Sequence, residues 1–239
     1  MIVDQEICSG CAQCVAYCPV RAISIVDGVA AIDRDLCVEC GVCERLPACP
    51  GGAFYMEESL PWPRSIRAIL SNPLTAFKET GVTGRGTEEM KTNDLTNRYV
   101  SGQIGFAFDV GRPNVGTSLR EVEKITAAFA PLGVHFEPKN PISFLMKDRS
   151  TGLLDPEVLD ERVMSAVVEF TVPMERVPEI LSTIQEVQSR VDTVFTVGVI
   201  CRVEEDNSIP VIPLLEKEGF VPSSGAKVNV GLGKLLPRS

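Results

Sequence analysis

Histidine is almost missing from these 239 residues: there is one, His135. A solitary imidazole on a short predicted strand builds neither a histidine metal site nor a catalytic dyad, and it receives no role. Positive charge is scarce as well, with 23 Lys and Arg against 32 Asp and Glu and a net charge of −9. A chain of that sign repels phosphate, which argues against nucleic acid and anionic membrane surfaces as partners. No apolar run reaches the roughly eighteen residues that a spanning helix needs, so no membrane insertion is expected. Residues 1–6 show no basic patch leading into an apolar stretch, so no signal peptide is predicted and the expected location is cytoplasmic. Nor is there a nucleophile elbow, a zinc-protease helix or a dinucleotide glycine fingerprint behind a strand. What remains, at 44% hydrophobic and 23% charged residues, is one or two folded globular domains.

Cysteine, by contrast, is plentiful and unevenly placed. Of nine, eight fall between residues 8 and 49, while Cys201 sits alone in the apolar run 197–203 and reads as a small buried residue. An odd, lopsided count without an export signal is a poor disulfide framework; such clusters in a cytosolic chain more often bind metal. The pattern is Cys8-x2-Cys11-x2-Cys14-x3-Cys18-Pro19, then Cys37-x2-Cys40-x2-Cys43-x5-Cys49-Pro50. Three cysteines two residues apart wrap thiolates around three corners of an iron–sulfur cubane, and a fourth must arrive from elsewhere. Paired Cys-x2-Cys units also hold structural zinc, but a triple run closed by Cys-Pro, twice, is not a zinc spacing. The runs form an internal repeat, 4–8 matching 33–37 at an offset of 29 and 18–23 matching 49–54 at 31.

On these residues, segment 1–58 resembles the bacterial 2[4Fe-4S] ferredoxin family. The resemblance implies two [4Fe-4S] clusters as cofactors, with the last cysteine of each run serving the other run's cluster. Cys8, Cys11, Cys14 and Cys49 would then hold cluster 1, and Cys18, Cys37, Cys40 and Cys43 cluster 2. The sequence departs from the commonest pattern in placing five residues, 44–48, before Cys49 where three are usual. That loop is expected to cover the cluster held by Cys49 and to set its exposure and potential apart from its twin's. Pro19 and Pro50 fix the turn after each last ligand, and Gly10, Ala12 and Gly41 let amides approach the sulfurs. Ile7, Val15, Ile23, Ile25, Leu36, Val38, Val42, Phe54 and Met56 are expected to exclude water around the clusters. With so few residues the core is thin, so the clusters double as structural staples.

Residues 59–101 read as a connecting segment, with a short apolar helix predicted at Ser65–Leu70 and a long irregular loop at Thr80–Asp94. A phosphate loop fails there, because Met90 stands before Lys91 where glycine is required. The loop is expected to dock on a partner or on the N-terminal domain through Arg85, Glu88, Glu89 and Lys91, unless it is a plain flexible linker.

Residues 102–204 alternate strand, helix, strand, twice. Strand 104–110 leads through the turn Gly111–Gly116 into a helix opened by a capping box at Ser118–Glu121, with Leu119, Val122, Ile125 and Phe129 on one face. A short strand, 134–136, ends the first unit; a strand over 163–172, a helix over 177–191 and a strand over 194–203 form the second. The fold class is α+β: a ferredoxin domain plus a split βαβ sandwich with an antiparallel four-stranded sheet and two helices. This layout resembles ferredoxin-like, ACT-like βαββαβ modules, in topology only. The turn Gly111–Gly116 with Arg112 is a candidate anion site, against the plainer reading of a glycine-shaped turn. Residues 205–239 form an extension in which Ile209–Leu215 is expected to add an edge strand or drape over the sheet; the rest is tail-like.

The leading functional expectation is an iron–sulfur electron-transfer subunit, itself non-catalytic, relaying single electrons to or from a partner oxidoreductase. The first 58 residues hold nine acidic against three basic side chains, which suits a partner with a basic docking surface. Self-association through the ACT-like domain is a further option. The alternatives are a redox-responsive regulator whose ACT-like domain binds a metabolite, and an enzyme completed by an unseen cofactor. Oxygen lability of such clusters points to an anaerobic or reducing setting.

Overall fold

The two cysteine runs fold into the same local shape twice. In each, an aspartate carbonyl accepts the amide of the first cysteine, Asp4 from Cys8 at 3.0 Å and Asp33 from Cys37 at 2.9 Å. The same aspartates turn the chain with their side chains, Asp4 Oδ1 accepting from Glu6 N and Asp33 Oδ1 from Asp35 N, each at 2.9 Å. Left-handed backbone recurs at matching positions: Gly10 and Glu39, Ala12 and Gly41, Arg21 and Gly52. These are facts of a computed structural model, which describes residues 1–45, 49–78, 81, 99–112 and 116–222. Strand β1 (Ile2–Val3) pairs with β4 (Phe54–Tyr55), and β2 (Ile23–Val26) with β3 (Val29–Ile32), both antiparallel. Between them the first run leads into helix α1 (Gln13–Tyr17) and the second into α2 (Val42–Arg45). The small core contains Met1, Ile23, Ala30 and Phe54, together with the buried thiols of Cys14 and Cys37.

Helix α3 (Ser65–Ser71), predicted one residue shorter, is more than a connection. Ile66 and Leu70, one turn apart, are buried in the core of the C-terminal part. Arg64, which precedes the helix, and Arg67 within it reach the second cysteine loop instead.

The C-terminal part is built on a four-stranded antiparallel sheet. Its strands are β5 (Gln103–Val110), β7 (His135–Phe136), β11 (Ala166–Pro173) and β12 (Phe195–Ile200), in the order β12-β5-β11-β7. Eight residue pairs join β5 to β11, from Ala166↔Val110 to Pro173↔Gln103. Alternation along β5 buries Ile104, Phe106, Phe108 and Val110 beneath α4 (Leu119–Phe129) and α6 (Val177–Val187). Phe108, Phe129 and Phe170 interlock there, with ring centroids 4.9 Å (Phe108 to Phe129) and 5.1 Å (Phe129 to Phe170) apart.

Several expectations need correction. No capping box forms at Ser118–Glu121. Ser118 belongs to a two-residue strand, β6 (Thr117–Ser118), paired with β10 (Arg162–Val163), and makes no side-chain cap bond. Backbone carbonyls do that work, Glu161 O taking Leu119 N at 3.0 Å and Leu159 O taking Arg120 N at 2.9 Å. Glu121 turns to Lys124 Nζ and to the amide of Asp192, each at 2.7 Å. The strand expected over 163–172 is broken after Val163, where the Met164 amide donates to Ser71 Oγ of α3 at 2.9 Å. The helix expected over 177–191 stops at Val187, and the strand expected over 194–203 spans Phe195–Ile200. Ile209–Leu215 adds no strand: α7 (Ile212–Lys217) forms and packs on α6. Pro213 explains it, since it lacks a ladder donor yet suits a first helical turn. Between β7 and β11 lie elements that the sequence reading left out, namely α5 (Pro141–Leu145), β8 (Met146–Asp148) and β9 (Leu153–Leu154). The docking residues Arg85, Glu88, Glu89 and Lys91, and positions 113–115 of the turn, lie outside the described residues.

Candidate functional site

The eight N-terminal cysteines divide between two cavities of similar size, about 320 and 330 Å³ with their mouths included. Cys8, Cys11, Cys14 and Cys49 line the first, with Ile7, Ile25 and Phe54. Cys18, Cys37, Cys40 and Cys43 line the second, with Ile23, Val38 and Val42. Each wall thus takes three cysteines from one run and the last from the other, because the β1–β4 and β2–β3 pairings fold the end of each run across the start of its partner. Of the apolar residues expected to exclude water, Ile7 (49% exposed), Val15, Ile25 and Leu36 are exposed.

Close backbone approach shapes both cavities. At Gly10, with φ +65°, an added Cβ would run into the carbonyl oxygen of Gly28. Amides point at sulfurs in both halves: Ala30 N donates to Cys8 Sγ at 3.3 Å, Ala53 N to Cys49 Sγ at 3.3 Å and Ala22 N to Cys18 Sγ at 3.1 Å, and the backbones of Glu39 and Val42 hydrogen-bond the Cys37 and Cys40 thiols. Such bonds spread thiolate charge and help to set the potential of a bound cluster.

The thiols are also electrostatically coupled within each set of four. Burial pushes the Cys14 thiol up, and the neighbouring charges of Cys11, Cys8 and Cys49 add to it. Burial likewise drives Cys43 up to about 12, reinforced by Cys40, Cys37 and Cys18. Four thiolates in one pocket are therefore tenable only with compensating positive charge, which bound iron supplies. Among the described residues, no three Cys, His, Asp or Glu close on a single ion. The donor set suits a cubane, with sulfurs spread over its corners, better than a zinc ion, whose ligands crowd one point.

Charged side chains that the sequence reading did not single out gather at the second cavity. Glu39 is fully buried, takes a left-handed φ of 55° and accepts from Arg64 at 2.6 Å and from the Met1 nitrogen. That backbone costs a non-glycine residue about 1–2 kcal/mol. Arg67 donates to the carbonyls of Arg34, Asp35 and Cys37 (3.1, 2.9 and 2.8 Å) and pairs with Glu161 of the C-terminal part. Arg45 donates to Cys40 O at 2.8 Å and Asn72 Oδ1 at 3.0 Å. The signal was present in the repeat, where an offset of 29 sets Glu39 opposite Gly10.

Elsewhere the expected sites are plainer. Arg112 pairs with Asp109 at 3.2 Å. Cys201 is half-buried against the main core, and burial raises its thiol. His135 is exposed on the short strand β7.

A 4Fe-4S binding domain matches residues 1–24. The chain is 48% identical to a ferredoxin of Alicyclobacillus acidocaldarius over 50 residues, 21% of this chain and 62% of that one. It is 41% identical to formate hydrogenlyase subunit 2 of Escherichia coli over 58 residues, 23% of this chain and 28% of that subunit. Against ferredoxin-1 of Rhodobacter capsulatus it is 41% identical over 49 residues, 20% of this chain but 75% of the relative. No solved structure matches the chain. No described helix is long and apolar enough to cross a membrane. Through the 4Fe-4S domain at its N-terminus, the chain belongs to the ferredoxin family.

Proposed function

We propose that this protein carries single electrons through two [4Fe-4S] clusters, one in each cysteine cavity, to or from a partner oxidoreductase. The observation that supports the reading best is the crossed division of the eight thiols. On it, Cys8, Cys11, Cys14 and Cys49 ligate cluster 1, and Cys18, Cys37, Cys40 and Cys43 ligate cluster 2. Each cluster, when bound, supplies a site that gains and loses one electron without making or breaking a covalent bond in the protein. The chain's own residues orient the thiolates, donate amide hydrogens to sulfur and exclude bulk water from the inner walls. The similarity to a formate hydrogenlyase subunit supports a place within a larger redox assembly. The domain division at 58, 101 and 204 and the likeness of residues 102–204 to ACT-like modules belong to the same reading, the latter supported by the strand order β12-β5-β11-β7.

Anaerobic purification with iron and sulfide analysis tests it, with an expected content near eight of each per chain on the four-iron cluster chemistry. Cys49→Ser is expected to empty the first cavity and Cys18→Ser the second, each halving the iron. A chain that is colourless, or that binds zinc in these positions, overturns the proposal. So does a Cys49→Ser variant that loses the signal of the cluster held by Cys37, Cys40 and Cys43.

A further inference from the structure

The two cavities are chemically alike inside and unlike around. Neither wall carries a charged side chain among its described residues. Just behind the second wall, however, Arg45 and Arg67 donate directly to the carbonyls of Cys40 and Cys37. Arg64 lies against buried Glu39 between those two cysteines. Among the described residues, no Arg or Lys side chain hydrogen-bonds to residues 8–14. The first set contains the one exposed ligand, Cys11, beside the buried Cys14, whereas the second set has two buried thiols, Cys37 and Cys40, and none that is exposed.

Resting on the two-cluster reading, we propose that the arginine shell makes cluster 2 the higher-potential centre. Reduction adds one negative charge to a cluster, so a nearby cation favours the reduced form. Burial opposes this by disfavouring added charge. Half-buried Arg64 and buried Arg67 act from positions where they are poorly screened, while Arg45, at the surface, acts through its direct bond to the Cys40 carbonyl. Arg64 and Arg67 are paired with Glu39 and Glu161, whereas Arg45, although exposed, is held by two neutral acceptors and has no carboxylate partner among its described bonds. Arg45 is thus a tuning residue that touches the ligand backbone without binding the cluster.

The test is an EPR-monitored redox titration of the full chain, first shown to hold about eight irons. Two resolved one-electron steps are expected. Arg45→Gln is expected to lower the upper step alone, with about a tenfold fall in its reduced fraction at fixed poise, equivalent to about 59 mV for one electron. Arg45→Lys restores it, which a purely structural defect would not allow. Independently, Ser9→Lys at the exposed first loop is expected to raise the lower step alone and so decides the assignment should Arg45→Gln not fold. Coincident steps in the native chain, or Arg45→Gln acting on the lower step, overturn the inference while leaving the two-cluster reading intact. Iron well below eight overturns that reading instead, and this inference with it.

Discussion

Single residues at the repeat positions show how finely the two halves are differentiated. Gly10 and Glu39 share a left-handed backbone, yet one admits no side chain and the other is a buried carboxylate. Gly28 also has a positive φ, of +81°, but nothing lies within 4 Å of a Cβ there. Gly28→Ala is therefore expected to cost only the backbone strain, about 1–2 kcal/mol. Gly10→Ala is expected to displace the first loop and lose iron from the first cavity. Iron content and melting temperature of the two variants, compared side by side, check this; equal losses would show that collision with the Gly28 carbonyl is not decisive. The cysteine runs were legible from sequence because their spacing is local, whereas their crossed division came only as an implication of the family resemblance. Glu39 and its arginine partner were not legible, because Arg64 lies 25 positions further along and only the folded chain brings the two together.

At the scale of elements, α3 carries a stability prediction. Arg67 is buried and satisfies three carbonyls as well as Glu161. Arg67→Met keeps the bulk but leaves those acceptors without donors, and is expected to destabilise the protein by about 3 kcal/mol or more. Denaturant unfolding measures it, and a change under 1 kcal/mol would mean that the bridge contributes little. The long, regularly patterned elements were legible: β5, α4 and α6 stand close to where alternation and three-to-four spacing set them. What escaped was short or satisfied at a distance. The start of α4 is capped by carbonyls forty residues away, and α5, β8 and β9 are too brief for any period to show.

For the whole molecule, charge sets how encounters proceed. With nine acidic and three basic side chains in residues 1–58, association with a basic partner is expected to slow as salt rises. Stopped-flow electron transfer with a purified partner across an ionic-strength series checks this, and a flat profile would discard electrostatic steering. The same molecule constrains how it can be dissected. Helix α3 buries Ile66 and Leu70 in one core while Arg64 and Arg67 hold the loop of the other. A cut after residue 58 would leave the iron-binding fragment without the guanidinium groups of Arg64 and Arg67, and a cut after residue 78 would open a hole in the sheet domain. The halves are thus mortised together, and an amino-terminal fragment made alone would report the redox behaviour of a different environment.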